Sequence, residues 1–300
     1  MPAKQLVVIS GKGGTGKTSL VACFAVLSRS AIFADCDVDA SNLHLILKPK
    51  VIKSEEFFSG YKAEIDQEKC QPCGLCKRLC RFSAVLERLD ANGQPIEYKI
   101  DEIACDGCGV CAEFCPNQAI TMFEQRAGEW YISETRAGIL VHAQLGVGEE
   151  NSGKLVSVVR KNAQELAEER KEKLIIIDGP PGIGCPVIAS ITGTDYALIV
   201  AEPSLSGLHD LERISQLCQH FSIPTGVIIN KYDLNQELSA QIEEFSQKNQ
   251  IELIAKIPYH PSFSRAMVLG KSLVEYESNS ITQLIKEIWE KLEKRLEISS

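Results

Sequence analysis

The chain predicts an α/β fold, a doubly wound and mostly parallel sheet, carrying one small inserted α+β domain. Three observations carry this prediction. Short apolar runs recur between helical stretches along most of the sequence, and such alternation builds parallel sheets with helices on both faces. One of these runs, Leu6-Val7-Val8-Ile9, leads straight into a glycine-rich turn and then a helical stretch from Ser19 to Leu27. The third observation is compositional: of twelve cysteines in 300 residues, eight fall between positions 70 and 115.

The glycine-rich turn reads Gly11-Lys12-Gly13-Gly14-Thr15-Gly16-Lys17-Thr18-Ser19. A G-x-x-x-x-G-K-[ST] pattern set between a strand and a helix predicts a P-loop. Glycines let successive backbone N–H groups turn inward around phosphate oxygens, and the helix N-terminus adds partial positive charge. Lys17 is expected to reach the terminal phosphates of ATP or ADP, and the Thr18 hydroxyl to ligate Mg²⁺.

Lys12 is a second lysine inside this loop. The resulting K-G-G-T-G-K-T resembles the deviant Walker A loop of the MinD/ParA ATPases, a family that includes the nitrogenase iron protein and Mrp-like iron–sulfur carriers. The resemblance implies an ATP-dependent homodimer in which Lys12 reaches the partner's phosphates, in a role comparable to an arginine finger.

The totals set bounds. A hydrophobic fraction of 44% is that of an ordinary globular chain. A net charge of −8 gives no reason to expect nucleic acid as a partner. The first strand starts too near the N-terminus for a signal peptide, and no apolar run approaches the roughly 20 residues that span a bilayer. We therefore expect a cytoplasmic protein without stable membrane insertion. In a reducing compartment, abundant cysteine points to metal or redox chemistry rather than disulfides.

Taken in order, the next apolar run is Ala31–Asp35, which opens into Asp35-Cys36-Asp37-Val38-Asp39. A carboxylate at the end of a parallel strand lies beside the nucleotide crevice. The family resemblance gives Asp37 the switch I role, positioning the attacking water and the metal shell, with Asp39 as an additional acid. Residues 51–65 are mixed, with an extended segment expected through Phe57 and Phe58.

The cysteines then come in two runs, Cys70-x-x-Cys73-x-x-Cys76-x-x-x-Cys80 and Cys105-x-x-Cys108-x-x-Cys111-x-x-x-Cys115-Pro116. The second is the bacterial ferredoxin signature, and the two form an internal repeat with an offset of 35 residues. Each repeat is expected to hold a strand, a cysteine-bearing turn and a short helix. In two-cluster ferredoxins the fourth cysteine of each run serves the other cluster. That rule gives one [4Fe–4S] cluster to Cys70, Cys73, Cys76 and Cys115, and the other to Cys105, Cys108, Cys111 and Cys80. Arg81 stands where the first run would usually have proline. A pair of zinc sites is the competing reading, but zinc takes C-x₂₋₄-C pairs separated by a longer gap. The insert is expected over 61–126, dividing an ATPase domain of 1–60 and 127–300.

Beyond the insert, Trp130–Ser133 and Ile139–His142 read as strands, with His142 a structural residue. A glycine-containing loop at 146–154 and a helix over about 155–171 follow. Leu174–Ile177 closed by Asp178 reads as a Walker B strand whose acid holds the Mg²⁺ water shell. Gly179-Pro180-Pro181-Gly182-Ile183-Gly184 resembles switch II of the Mrp-like branch, which implies that the Gly182 N–H meets the γ-phosphate. Cys185, just after it, is expected to be a small buried cysteine. Strands at 195–200, 225–231 and 254–259 complete the pattern. The resemblance implies adenine contacts from Asn230 and from the segment at Pro258. The C-terminal stretch 281–292 has apolar residues at helical spacing and interleaved Glu and Lys, as in a surface helix.

These expectations converge on an ATPase whose dimer switch is coupled to electron transfer with a redox partner. An iron–sulfur or cofactor-assembly carrier is the alternative, and a redox-sensing positioning ATPase a third reading.

Overall fold

The computed structural model describes residues 2–146 and 153–298. Most of the glycine-containing loop expected at 146–154, namely 147–152, lies outside them. The described chain forms two compact units, one of residues 2–55, 129–145 and 153–298, and a second of 56–128 with Gly146.

The elements run β1 (Lys4–Ser10), α1 (Lys17–Leu27), β2 (Ile32–Asp35), α2 (Leu43–Leu47), β3 (Lys50–Ile65), α3 (Leu75–Leu79), β4 (Val85–Leu89), β5 (Pro95–Ile100), α4 (Val110–Glu113), β6 (Ile120–Thr135) and β7 (Gly138–Leu145). They continue with α5 (Lys154–Arg170), β8 (Leu174–Pro181), α6 (Cys185–Ile191), β9 (Tyr196–Ala201), α7 (Leu205–His220), β10 (Thr225–Asn230), a short 3₁₀ turn (Tyr232–Leu234), α8 (Gln236–Lys248) and β11 (Glu252–Ile257). Three helices end the chain: α9 (Ser262–Val268), α10 (Leu273–Tyr276) and α11 (Ser280–Arg295).

The first unit holds the strand order β11-β10-β9-β1-β8-β2-β7. Strands β11 through β7 pair in parallel. β1 sits between β8 and β9, which cover its edges, while helices α1, α6 and α7 pack against it, so Leu6–Ile9 are fully buried. That is why it reads as a continuous apolar run rather than an alternating one. β6 and β7 are joined by only two residues, a connection that suits an antiparallel hairpin. The segment at 51–65, which its sequence leaves mixed, lies within one 16-residue strand, β3. β11 stops at Ile257, because Pro258 has no N–H to continue the ladder.

Register decides what meets at the C-terminal edge of this sheet. Asp35 at the end of β2 lies level with Asp178 on β8, and Val8 of β1 is level with Asp178 on its other side. The stretch read as a surface helix is α11. It buries Ile281, Ile285, Ile288, Trp289 and Leu292, and Trp289 stacks on Phe24 of α1 with ring centroids 5.4 Å apart. The helix carrying the glycine loop is thereby anchored from behind.

The second unit repeats itself. Its small core pairs Ala63 with Tyr98, Ile65 with Ile100 and Val85 with Ile120 under the 35-residue offset. The two halves also exchange backbone bonds: the Asp66 N–H donates to Ala119 O, and the Asp101 N–H to Ala84 O, both at 2.8 Å. Within each half the Cys70 and Cys105 N–H groups donate to the Asp66 and Asp101 carbonyls, both at 2.9 Å. β4 and β5 pair antiparallel.

His142 on β7 is buried, as its place in the apolar alternation predicts. Its Nε2 lies 2.9 Å from the Ser133 hydroxyl, and its ring stacks between those of Tyr131 and His44. Burial, with His44 beside it, lowers its pKa to about 4. An unfolded chain takes up this proton near 6.5 and the folded one refuses it until about 4, so stability is full above pH 6.5 and falls as pH drops through that window. Urea titrations at pH 7 and pH 4.5 should differ by about 2–3 kcal/mol through this residue. In His142→Gln that part of the pH slope should disappear; an unchanged slope would assign it to other groups.

Candidate functional site

The loop between β1 and α1 forms one wall of a cleft of about 450 Å³, a size that suits a small-molecule ligand. Gly13, Gly14, Thr15, Gly16, Lys17, Thr18 and Ser19 line it, together with Asp37, Asn230 and Pro258 from three other strand ends. The structure thus gathers in one place most of the residues the sequence singles out for nucleotide. Tyr259, His260, Phe263 and Met267 line its far end, and nothing in their sequence pattern announces them.

At the floor, Lys17 is only 5% exposed and its Nζ lies 2.5 Å from Asp178 Oδ1 and 3.7 Å from Asp37 Oδ2. Burial works against its charge, but Asp178, Asp37 and Asp35 outweigh it and hold the ammonium above the usual lysine pKa. Asp178 is wholly buried, and its Oδ2 has no hydrogen-bond partner among the described residues. A buried carboxylate oxygen left in that state suits the water shell of a divalent cation. Burial also raises the pKa of Asp37.

Asp35 is a residue that sequence reasoning undervalued. It accepts hydrogen bonds from the Asp37 N–H (3.2 Å), the Ser41 hydroxyl (2.6 Å) and the Leu43 N–H (3.3 Å), and so ties down the whole turn after β2. Burial first and Asp178 second push its pKa up to about 7. The signal was present: like Asp178, it closes an apolar strand directly.

Besides Asp178, buried beneath Lys17, three expected residues stand apart from the cleft wall. Gly11 and Lys12 line a smaller hollow against α7, where a Cβ on Gly11 would fall 2.0 Å from Asp210 Cβ. Lys12 Nζ donates to the Ser204 hydroxyl at 3.0 Å, at the N-cap of α7. The Gly182 N–H donates to Ser10 O at 2.9 Å, continuing the β1–β8 pairing past Pro181. A role at a γ-phosphate therefore requires that bond to open.

In the second unit the cysteines surround two separate hollows. Cys70, Cys73, Cys76 and Cys115 line one. Cys80, Cys105, Cys108 and Cys111 line the other. The fourth cysteine of each run thus faces the other run's hollow, because the backbone exchange between the halves carries β4 and β6 across. Among the described residues no three His, Cys, Asp or Glu side chains converge as one metal ion requires; the thiols stand around the hollows instead. Burial, with Cys115 and Cys73 nearby, raises the Cys70 thiol pKa, and burial with Cys105 nearby does the same for Cys111. A positively charged metal group reverses that penalty and takes the thiolates. Arg81 lies over the Phe82 ring, 4.7 Å from its centroid. Cys185 departs from expectation: it is exposed, at the first turn of α6, because the chain leaves the sheet at Pro181 and the helix begins on the surface.

Comparison with known proteins shows the family and the fold of this chain. An uncharacterised protein of Methanocaldococcus jannaschii is 32% identical over 293 residues, covering 96% of both chains. Partial similarity reaches the light-independent protochlorophyllide reductase iron-sulfur ATP-binding protein of Chloroherpeton thalassium, 27% identical over 42% of this chain and 49% of that one. It also reaches the iron-sulfur cluster carrier protein of Pyrococcus horikoshii, 26% identical over 41% of this chain and 45% of that one. Among solved structures, the septum site-determining protein MinD of Pyrococcus horikoshii, complexed with Mg-ADP, shares the fold with a TM-score of 0.60 and 17% identity over 99% of each chain. Among the described residues no helix is long and apolar enough to cross a membrane. The CobQ/CobB/MinD/ParA nucleotide binding domain model matches residues 6–274, and this chain belongs to that family.

Proposed function

We propose that the protein is an ATP-dependent iron–sulfur protein, in which a nucleotide-gated homodimer controls electron transfer to or from a partner protein through two [4Fe–4S] clusters. The observation that carries it is the lining of the two hollows: each is walled by three cysteines of one run and the fourth of the other. That crossing is what two linked four-iron clusters need, and two zinc sites have no use for it. The insert holding them is then ferredoxin-like.

At the cleft, Lys17 carries the charge that meets terminal phosphates, and Thr18 and Asp178 are placed to hold Mg²⁺ and its waters. With phosphate bound, Lys17 has an alternative to Asp178 as its partner, so the floor of the cleft changes its bonding. Asp37 is the residue to orient water for hydrolysis, and Lys12 to leave Ser204 for the partner subunit's nucleotide. Asn230 and Pro258, which line the same cleft, are the residues to meet the base. Bound clusters supply one-electron chemistry; the eight thiolates hold them and set their spacing.

A second reading, a cluster carrier, is supported by the similarity to the Pyrococcus horikoshii carrier. Radiolabelled iron passing stoichiometrically to an apo-acceptor would favour it over electron donation.

Anaerobically purified protein should hold about eight irons per chain. Cys70→Ser and Cys115→Ser should each lose the same half of that iron and the same paramagnetic signal, and Cys80→Ser and Cys105→Ser the other half. If Cys115→Ser instead matches Cys105→Ser, the crossing is wrong. ATP, and not ADP, should change the rate of electron exchange with a co-purified partner, and Lys17→Ala should abolish the difference. Equal rates in all three cases would remove the coupling.

A further inference from the structure

Two side chains at the end of β10 face the glycine loop in a way that phosphate binding itself does not explain. Asn230 is 5% exposed, and its Nδ2 donates to Thr15 O at 2.6 Å. Lys231 follows in the left-handed region, φ +57°, which turns its side chain onto the same loop. Its Nζ donates to Gly14 O at 3.0 Å and lies 3.4 Å from Glu202 Oε2, at the end of β9. The Lys231 N–H donates to Asn230 Oδ1 at 3.0 Å, so the two residues also fix each other. Gly16 makes room for this grip: at φ +92°, a Cβ there would lie 2.4 Å from Asn230 Nδ2.

The consequence follows from the planarity of the peptide unit. In a trans peptide the carbonyl of one residue and the N–H of the next point in opposite directions. Holding Gly14 O and Thr15 O toward β10 therefore turns the Thr15 and Gly16 N–H groups the other way, into the hollow of the loop. A loop left to itself would have to rotate both units when an anion arrives. A loop held from a buried strand has that rotation already done, and pre-set donors bind more tightly than donors that must reorganise.

We propose that Asn230, Lys231 and Glu202 form a brace that presets the phosphate-binding amides of the P-loop, with Asn230 and Lys231 as positioning residues and Glu202 orienting Lys231. The inference rests on the nucleotide reading of the cleft and deepens it. Any adenine contact by Asn230 is additional, since its Nδ2 keeps a second hydrogen.

Inorganic tripolyphosphate separates the brace from base recognition, because it has phosphates and no base. Calorimetric titration with Mg-tripolyphosphate and Mg-ATP should show both ligands weakened by the same factor, about tenfold, in Lys231→Met and in Asn230→Ala. Lys231→Arg keeps a donor for Gly14 O and should recover most of the affinity. Glu202→Gln is the sign test. Removing a negative charge near the loop should strengthen anion binding if Lys231 simply touches phosphate, whereas the brace requires binding to weaken. Thermal melts of each variant confirm folding, and Lys231 is exposed enough for Lys231→Met to fold even if Asn230→Ala does not. Tripolyphosphate affinity unchanged in Lys231→Met, or stronger binding in Glu202→Gln, overturns the brace. Wild-type protein that binds neither ligand sinks the nucleotide reading and the brace with it.

Discussion

A lysine that is almost entirely buried against a fully buried aspartate is the interaction on which the nucleotide half of the molecule depends. Taking two charges out of water is costly, and their attraction recovers the cost only with good geometry and further partners. The sheet supplies that geometry. β8 lies between β1 and β2, so the strand bearing Asp178 sits beside the strand that launches the loop of Lys17, and beside the strand that ends in Asp35. Such a pair adds little to stability by itself; in the proposed function it is the bond that gives way when phosphate and a cation bind. The fully buried apolar strands hold the frame still while the polar ends change their bonds.

Much of this was legible in the sequence, because the relevant signals are local. A glycine loop between a strand and a helix, and an acid closing an apolar run, each declare their own geometry. Lys17, Thr18 and Asp178 could be named that way, and Asp37 through the family resemblance. The brace at Asn230 and Lys231 could not, since it depends on β10 standing two strands from β1 with β9 between them, and that order is a property of the folded sheet. The far wall at Tyr259–Met267 was hidden for the same reason. Cys185 misled because a small thiol after a glycine-rich turn has no local feature that separates buried from exposed. The long strand at 50–65 was obscured by its charged first half, where exposed side chains mask the period of two.

The cysteine unit shows the opposite case, where spacing alone predicted a long-range arrangement. The two runs are 35 residues apart, and the structure repeats at that interval in its core pairs, its turns and its backbone bonds. The reciprocal exchange at Asp66–Ala119 and Asp101–Ala84 converts a linear duplication into a pair of hollows, each lined by both runs.

The position of β1 has a consequence for biosynthesis. It ends at Ser10, yet the strands on either side of it start at Leu174 and Tyr196, and the helix that backs α1 starts only at Ser280. A chain emerging from the ribosome at about 5–20 residues per second must therefore keep its first strand waiting for many seconds without neighbours. All the residues that line the two cysteine hollows leave the ribosome before either neighbour of β1 exists. β1 is thus translated ahead of the cysteine unit, yet its surroundings are completed long after that unit.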